Sequence, residues 1–273
     1  MSAPDETPPP LLRVENLCVD FFSDGKISHA VRNVSFDLKK GEILAVVGES
    51  GSGKSVTSQA LTGLLPDAPA CRVSGSVRLD GREILGLPER ELRKIRGGKI
   101  AYIFQDPLSS LNPVYTVGAQ IEEALRFHVP ALKNKRARRE RVREFLVAVG
   151  LAPAHADAFP HNLSGGMQQR AMIAMALACE PKILVADEPT TALDVSVQRQ
   201  IMDLLRDVRA RFGTGILLIT HNFGIVAEIA DRAVVLFHGE KIEEGHALEI
   251  ISSPRENYTR ELLACVPRLK QRL

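Results

Sequence analysis

The chain has 273 residues, of which 45% are hydrophobic and 25% are charged, and its formal net charge is +2. This length suffices for one large α/β domain that carries a subdomain and buries a sizeable core. The small net charge provides no overall attraction to nucleic acid or to anionic membranes, so no nucleic-acid partner is expected. No apolar run approaches the roughly 18 to 20 residues that a membrane-spanning helix needs.

Residues 1–10 are polar and proline-rich, and they lack the apolar stretch of a signal peptide. We interpret them as a disordered leader, and we expect the protein to stay in the cytoplasm and to reach a membrane only through a partner. The cysteines lie far apart without metal-ligand spacing, which favours reduced cytosolic thiols. They are Cys18, Cys71, Cys179 and Cys265.

Short apolar runs alternate with longer helical stretches, which is typical of an α/β domain with a largely parallel sheet. Residues 12–22 and 31–38 are predicted to pair as antiparallel strands, and 73–79 followed by Asp80-Gly81 indicates a further hairpin. Three continuous apolar runs predict buried parallel strands. These runs cover residues 43–47, 183–186 and 216–219.

The middle of the chain is predicted to be helical. From about residue 116 to 150 the apolar residues recur at helical spacing, with Ile121 and Leu125 on one face and Phe145 and Val149 on another. We interpret residues 106–167 as a helical subdomain inserted into the α/β core. One short helix is expected near residues 259–265.

A phosphate-binding loop is the clearest motif. Gly48-Glu49-Ser50-Gly51-Ser52-Gly53-Lys54-Ser55 matches G-x-x-x-x-G-K-[ST] between a predicted strand and a predicted helix. The glycines let backbone N–H groups converge on the phosphates of ATP, and the helix adds its positive end. Lys54 is expected to reach the β- and γ-phosphates, and the Ser55 hydroxyl to ligate Mg²⁺. A chance glycine-rich turn would lack this strand–loop–helix context.

Two acidic residues follow the strand predicted at 183–186. Asp187 at its end is positioned to hold Mg²⁺ through water. Glu188 reaches the γ-phosphate side, where it would polarise the attacking water as general base. An Asp-Glu pair after a strand is otherwise commonly a helix cap, but here it accompanies a phosphate loop.

A second glycine-rich segment is Leu163-Ser164-Gly165-Gly166-Met167-Gln168-Gln169-Arg170. Ser164 is a good helix N-cap, which is the simplest explanation of the segment. Two consecutive glycines in a first helical turn are costly, however, unless a phosphate must approach the N–H groups closely. Because the chain already has one phosphate loop, we infer that Ser164, Gly165, Gly166 and Gln168 serve the ATP of a second chain.

With this segment between the phosphate loop and Asp187-Glu188, the sequence resembles the ATP-binding cassette (ABC) family over almost its whole length. The resemblance implies an α/β fold with a P-loop NTPase (RecA-like) core, an antiparallel β subdomain and an inserted α-helical subdomain. It also implies a nucleotide-binding domain over residues 11–253 and a C-terminal tail over 254–273.

The resemblance assigns roles to residues that the motifs alone leave open. Gln105 corresponds to the glutamine that contacts Mg²⁺ and the attacking water, and His221 to the switch histidine at the γ-phosphate. Asp194 lies in the loop that communicates between two nucleotide sites. Phe21 falls where the family places an aromatic ring against adenine, and the adjacent Phe22 is the alternative.

Three segments are similar to the oligopeptide, dipeptide and nickel importers of this family: residues 104–113, 160–167 and 254–263. Asn257 stands where a proline is common in that group. Some relatives carry a cysteine cluster in the tail, but only Cys265 is present here, so no iron–sulfur centre is expected.

The resemblance therefore implies the ATPase subunit of an importer at the cytoplasmic face of the inner (plasma) membrane. Its partners would be two transmembrane permease subunits, a second ATPase subunit and, indirectly, a periplasmic or extracellular solute-binding protein. The second ATPase would be a copy of this chain or, preferentially, a related partner. The helical subdomain would receive the coupling helices of the permeases.

Two other functions are compatible with a phosphate loop. A non-transport ABC ATPase acting on nucleic acid or ribosomes would need a long coiled coil or a second cassette, and the stretch between Gln105 and Ser164 is too short for a coiled coil. A small-molecule kinase would leave residues 164–168 unexplained. The cationic run at 133–143 is interpreted as a solvated helix face, with contact to anionic lipid headgroups as the alternative.

Overall fold

The structure is a computed structural model that describes residues 9–23, 25–105, 110–190 and 194–264. Two β-sheets organise the fold. The smaller sheet contains β1 (Leu12–Ser23), β2 (Lys26–Leu38), β4 (Cys71–Leu79) and β5 (Arg82–Glu83). Its strands are antiparallel and lie in the order β2-β1-β4-β5.

The larger sheet contains β3 (Ile43–Val47), β6 (Ile100–Ile103), β7 (Ile183–Asp187), β8 (Gly215–Thr220), β9 (Arg232–Phe237) and β10 (Glu240–His246). The strand order is β10-β9-β3-β8-β7-β6. All neighbouring pairs are parallel except β9 with β10, which is antiparallel. A mostly parallel sheet with one antiparallel edge strand is common in large α/β folds.

Helices connect and cover the sheets. They are α1 (Lys54–Ala60), α2 (Glu89–Ile95), α3 (Val117–His128), α4 (Lys135–Ala148), α5 (Gly165–Leu177), α6 (Val195–Phe212), α7 (Phe223–Ile229), α8 (Ala247–Ser252) and α9 (Asn257–Ala264). Two short 3₁₀ turns, Pro153–Asp157 and Pro160–Asn162, lead from α4 into α5. Among the described residues, no helix combines the length and the apolar character needed to span a bilayer.

The larger sheet is covered on both faces, which explains why its central strands are continuous apolar runs. On β7, Leu184 and Ala186 pack in one cluster with helices α3 to α6. The alternate residues Ile183 and Val185 pack in a second cluster with the smaller sheet. This alternation follows from the two-residue period of a strand.

The C-terminal part of the chain packs on a third cluster. Ala45 and Val47 of β3 lie there with buried residues of β9, α7 and α8. From α9, Tyr258 and Leu262 pack on the same cluster, since they are four residues apart on one helical face. The tail helix therefore packs against the same cluster as β3, the strand that leads into the phosphate loop.

The strands predicted at 43–47, 183–186 and 216–219 are confirmed, and so are both predicted hairpins. Helix α9 confirms the predicted tail helix as far as residue 264, and Cys265 lies outside the described residues. The elements β6, β9, β10, α2, α6, α7 and α8 were not predicted. All of them except the 18-residue helix α6 span seven residues or fewer, too short for their period to stand out in the sequence.

Candidate active site

The loops that follow four parallel strands meet at one edge of the larger sheet. The phosphate loop follows β3, His221 follows β8, Glu188 follows β7, and Gln105 lies two residues after β6. Since β3, β8, β7 and β6 are consecutive in the sheet, their carboxyl ends lie side by side. This is the edge at which open α/β sheets bind ligands.

The phosphate loop has the backbone conformation that its glycines allow. Gly53 caps α1 with φ 99°, and a Cβ there would lie 2.6 Å from the Ala30 carbonyl oxygen. At Gly48, with φ 153°, a Cβ would overlap the carbonyl oxygen of Leu236. A Cβ on Gly51 would instead meet open space. The loop is thus tightly packed against the protein at both ends and open in the middle.

The Lys54 ammonium group is folded over this loop. Its Nζ donates hydrogen bonds to the carbonyl oxygens of Gly48 at 2.8 Å and Glu49 at 2.6 Å, and lies 3.3 Å from Ser52 Oγ. These three acceptors match the three donors of an ammonium group. Burial lowers the pKa of Lys54, although the nearby carboxylates of Glu188 and Asp187 oppose that shift.

Asp187 is buried at the end of β7. Burial raises the pKa of its carboxyl group, and the neighbouring Glu188 charge acts in the same direction, whereas hydrogen bonding to Ser55 and the charge of Lys54 oppose it. Asp187 and Ser55 were both predicted as Mg²⁺ ligands, and the structure brings them into contact.

Glu188 lies between Gln105 and His221, the two other residues to which the family resemblance gave a catalytic role. Its Oε2 accepts a hydrogen bond from Gln105 Nε2 at 3.2 Å, and its Oε1 lies 3.0 Å from His221 Nδ1. The backbone of Glu188 has φ 46°, an unusual left-handed conformation for a residue with a side chain. Its N–H donates to the Ile219 carbonyl oxygen at 2.9 Å. The three predicted catalytic residues therefore form one hydrogen-bonded group.

The segment that begins α5 is open at its first glycine. Ser164 is the N-cap, and its hydroxyl accepts a hydrogen bond from the Met167 N–H at 3.4 Å. A Cβ on Gly165 would meet nothing within 4 Å, whereas one on Gly166 would lie 3.0 Å from Val197. Within the described residues, no hydrogen bond joins this segment to the phosphate loop.

The side chains of Gln168 and Asp194 both make hydrogen bonds within the chain. Gln168 is buried, and its Nε2 donates to the carbonyl oxygens of Pro160 at 2.9 Å and Leu163 at 3.2 Å. Asp194 caps α6, accepting a hydrogen bond from the Val197 N–H at 2.9 Å. The structure thus gives Gln168 a positioning role for the turn before α5, and its predicted contact with nucleotide would require these bonds to change.

The two candidate adenine-stacking residues differ in their surroundings. Phe21 is partly buried and packs against the cluster between the two sheets. The Phe22 ring lies beneath the Arg72 guanidinium, with 5.4 Å from Cζ to the ring centroid. The sequence indicated both rings but not Arg72, because the position of Arg72 next to Phe22 depends on the pairing of β1 with β4.

The residues present fit a nucleoside triphosphate and Mg²⁺. The middle of the loop is open at Gly51, where backbone N–H groups can approach phosphate oxygens. Ser55 and Asp187 supply hydroxyl and carboxylate oxygens, the ligand type that Mg²⁺ prefers, and Mg²⁺ commonly takes the rest of its shell from phosphates and water.

A strand, a phosphate loop and a helix, with two carboxylates at the end of a second parallel strand of the same sheet, define a P-loop nucleotide-binding protein. Within that class, the family model described as ABC transporter matches residues 31–191. The chain belongs to the ABC transporter family, which confirms the resemblance and the fold class predicted from the sequence.

Curated relatives of the chain are named as transport ATP-binding proteins. It is 47% identical over 262 residues to the oligopeptide transport ATP-binding protein OppD of Bacillus subtilis, covering 95% of this chain and 73% of that protein. It is 49% identical over 261 residues to the peptidoglycan transport ATP-binding protein YejF of Agrobacterium fabrum, covering 95% of this chain. The chain spans only 47% of the length of YejF.

Solved structures of cassettes share the fold. The ATP-binding cassette MJ0796, in a dimeric post-hydrolysis state bound to ADP and Pi, superposes with a TM-score of 0.77 at 33% identity, covering 86% of this chain and 98% of that one. Clostridium perfringens cbiO1, part of the ABC transporter complex cbiONQ, has a TM-score of 0.73 at 28% identity, covering 95% and 96% of the two chains.

Proposed function

We propose that this chain is the ATP-binding and ATP-hydrolysing subunit of an ABC importer that takes up peptides or a related solute such as nickel. The observation that carries the hydrolysing role is the group formed by Glu188, Gln105 and His221 beside the phosphate loop, and the names of the relatives support a role in peptide transport. A phosphate loop alone binds nucleotide, but a carboxylate fixed at the γ-phosphate side adds the means to hydrolyse it.

In this proposal Glu188 is the general base. Gln105 and His221 each approach one oxygen of its carboxylate, so the orientation of the carboxylate is fixed from both sides. Because His221 is largely exposed, it can leave Glu188 to contact the γ-phosphate. Mg²⁺, when held by Ser55 and Asp187, would neutralise phosphate charge that Lys54 alone does not cover.

The Ser164 turn supports a site shared between two chains. Its first helical residue, Gly165, is open to the outside, and the turn has no hydrogen bond to this chain's own phosphate loop in the described parts of the structure. We propose that Ser164, Gly165 and Gly166 complete the ATP site of a second cassette, which is a copy of this chain or a related partner. The dimeric MJ0796 cassette is consistent with such pairing.

Exposed apolar residues beyond β6 support docking of membrane partners. Phe104 is 39% exposed, and Val114 and Tyr115 are 70% and 57% exposed. Large apolar side chains that are exposed are common at protein-binding sites. We propose that these residues contribute to docking of two transmembrane permease subunits at the cytoplasmic face of the inner (plasma) membrane, and that a solute-binding protein acts through them.

The test is reconstitution with the permease subunits, the second cassette and the solute-binding protein encoded beside this chain. Purified assemblies should release inorganic phosphate from ATP and accumulate peptide in vesicles, and both activities should disappear with Glu188→Gln. An exposed glutamate on α3, Glu123→Gln, serves as the matched control and should leave both unchanged. Failure to associate with the permeases, or transfer of phosphate to a metabolite, would contradict the proposal.

A further inference from the structure

The phosphate loop is held by contacts from three directions. Within the loop, Lys54 Nζ donates hydrogen bonds to the carbonyl oxygens of Gly48 and Glu49. From the turn between β9 and β10, the Gly239 N–H donates to the Ser52 carbonyl oxygen at 3.1 Å. From α9, the Tyr258 hydroxyl accepts a hydrogen bond from the Glu49 N–H at 3.4 Å. Glu49 and Tyr258 are separated by 209 positions in the sequence.

Tyr258 is itself held in place by the C-terminal part of the fold. Its ring lies 4.0 Å, centroid to centroid, from the ring of Phe237, which ends β9. At the N-terminus of α9, the carboxylate of Glu243 accepts hydrogen bonds from the N–H groups of Arg255 at 2.8 Å and Glu256 at 3.3 Å. Glu243 is buried on β10, so α9 has a defined position relative to the sheet.

The three contacts differ in what happens to them when nucleotide binds. The proposed function requires the Lys54 ammonium to turn from the loop carbonyl oxygens to the phosphates. The Glu49 N–H and the Ser52 carbonyl oxygen are backbone groups that face Tyr258 and Gly239, so their bonds do not depend on Lys54. Once Lys54 has turned, Tyr258 is the side chain that still bonds the first part of the loop in the described part of the chain.

We propose that Tyr258 is a positioning residue for nucleotide binding, through which the C-terminal helix keeps the phosphate loop in its phosphate-binding conformation. This inference rests on the proposed function, because it assumes that the loop binds ATP. A loop that is already ordered loses less conformational freedom on binding, so its affinity is higher than that of a mobile loop. Tyr258 acts through Glu49 and Phe237, without touching nucleotide.

Two substitutions separate the hydroxyl from the ring. Tyr258→Phe removes the acceptor of the Glu49 N–H but keeps the contact with Phe237, and it should weaken MgADP binding about threefold. Tyr258→Ala also removes the ring contact and should weaken binding about tenfold. Ser252→Ala removes an exposed hydroxyl from the end of α8 and should have no effect.

The decisive measurements are titration calorimetry with MgADP, the ATPase rate at saturating ATP, and hydrogen exchange of the Glu49 amide. Tyr258→Phe should raise the dissociation constant and KM, leave kcat within about twofold of the wild type, and speed exchange at Glu49. A purely structural role would not split KM from kcat in this way.

Unchanged MgADP affinity in Tyr258→Phe, with unchanged exchange at Glu49, would overturn the inference, and so would a fall in kcat at unchanged KM. If Tyr258→Ala does not fold, Tyr258→Phe decides the matter alone. If the wild-type chain itself fails to bind MgADP, the proposed function fails, whereas exchange at Glu49 still reports whether Tyr258 holds the loop.

Discussion

His221 Nδ1 lies 3.0 Å from Glu188 Oε1, and the two residues come from the ends of adjacent parallel strands. His221 is 63% exposed at its side chain and Glu188 only 17%. The contact therefore joins a solvent-facing ring to a largely buried carboxylate. Such a pair can change partner when a phosphate enters the site, without any change in the sheet.

The first prediction concerns Glu188→Gln. The amide keeps the shape of the side chain but cannot accept a proton from water, so ATP binding should be retained while phosphate release falls about 100-fold or more. Equilibrium titration measures whether ATP binding is retained, and a steady-state assay measures the fall in phosphate release. Under the proposed shared site, the substituted chain should accumulate as a closed dimer with ATP, and Glu123→Gln should not. Normal phosphate release in Glu188→Gln would contradict the general-base role.

The second prediction concerns Lys54→Ala. Lys54 Nζ is the only charged group among the described residues that bonds the loop carbonyl oxygens, so its removal should loosen the loop. Under the proposed function, the substitution also removes the ion pair with phosphate. Nucleotide affinity should fall about tenfold or more in equilibrium titration. Lys40→Ala, at an exposed position, is the control. Equal affinities in the two variants would argue against the assignment of the phosphate loop.

The third prediction concerns the stability of the protein without nucleotide. Because burial raises the pKa of Asp187 above 3.8, the folded state holds its proton more tightly than the unfolded state does. Stability is therefore lost as pH rises from about 3.8 through the folded pKa, and the ionised carboxylate destabilises the free protein at neutral pH.

Asp187→Asn should accordingly raise the Tm of the nucleotide-free protein at pH 7 by about 2 °C or more, while removing the extra stabilisation by MgATP. Calorimetry with and without MgATP measures both effects. The advantage of the substituted protein should shrink as the pH approaches 4. A lower Tm for Asp187→Asn at pH 7 would show that the carboxylate is not a source of strain in the free site.

The fourth prediction compares two glycines of the same loop. Gly51 and Gly53 both have positive φ, 81° and 99°, but only Gly53 lies against a backbone oxygen. Gly51→Ala should cost about 1 kcal/mol in the free energy of unfolding, from backbone strain alone. Gly53→Ala should cost about 2 kcal/mol or more, because its Cβ must also displace the Ala30 carbonyl group. Chemical denaturation distinguishes them, and equal losses would show that the contact with Ala30 relaxes freely.

Local sequence signals predicted much of the site. The phosphate loop, the acidic pair after β7 and the N-cap at Ser164 each depend on residues within one short segment, so their chemistry can be recognised without the fold. Gln105 and His221 carry no such local signal. A glutamine in a loop and a histidine after a strand acquire a role only through the family resemblance, and the structure then places both against Glu188.

The amino-acid sequence by itself determined the class of fold, the phosphate loop and the order of the motifs, because strand period, glycine spacing and helix caps are local properties. Only the tertiary structure decided that Gln168 is committed to the carbonyl oxygens of Pro160 and Leu163, and that Tyr258 reaches Glu49. These contacts depend on how distant elements pack together. Because long-range packing depends on the whole core, it cannot be predicted from any short segment.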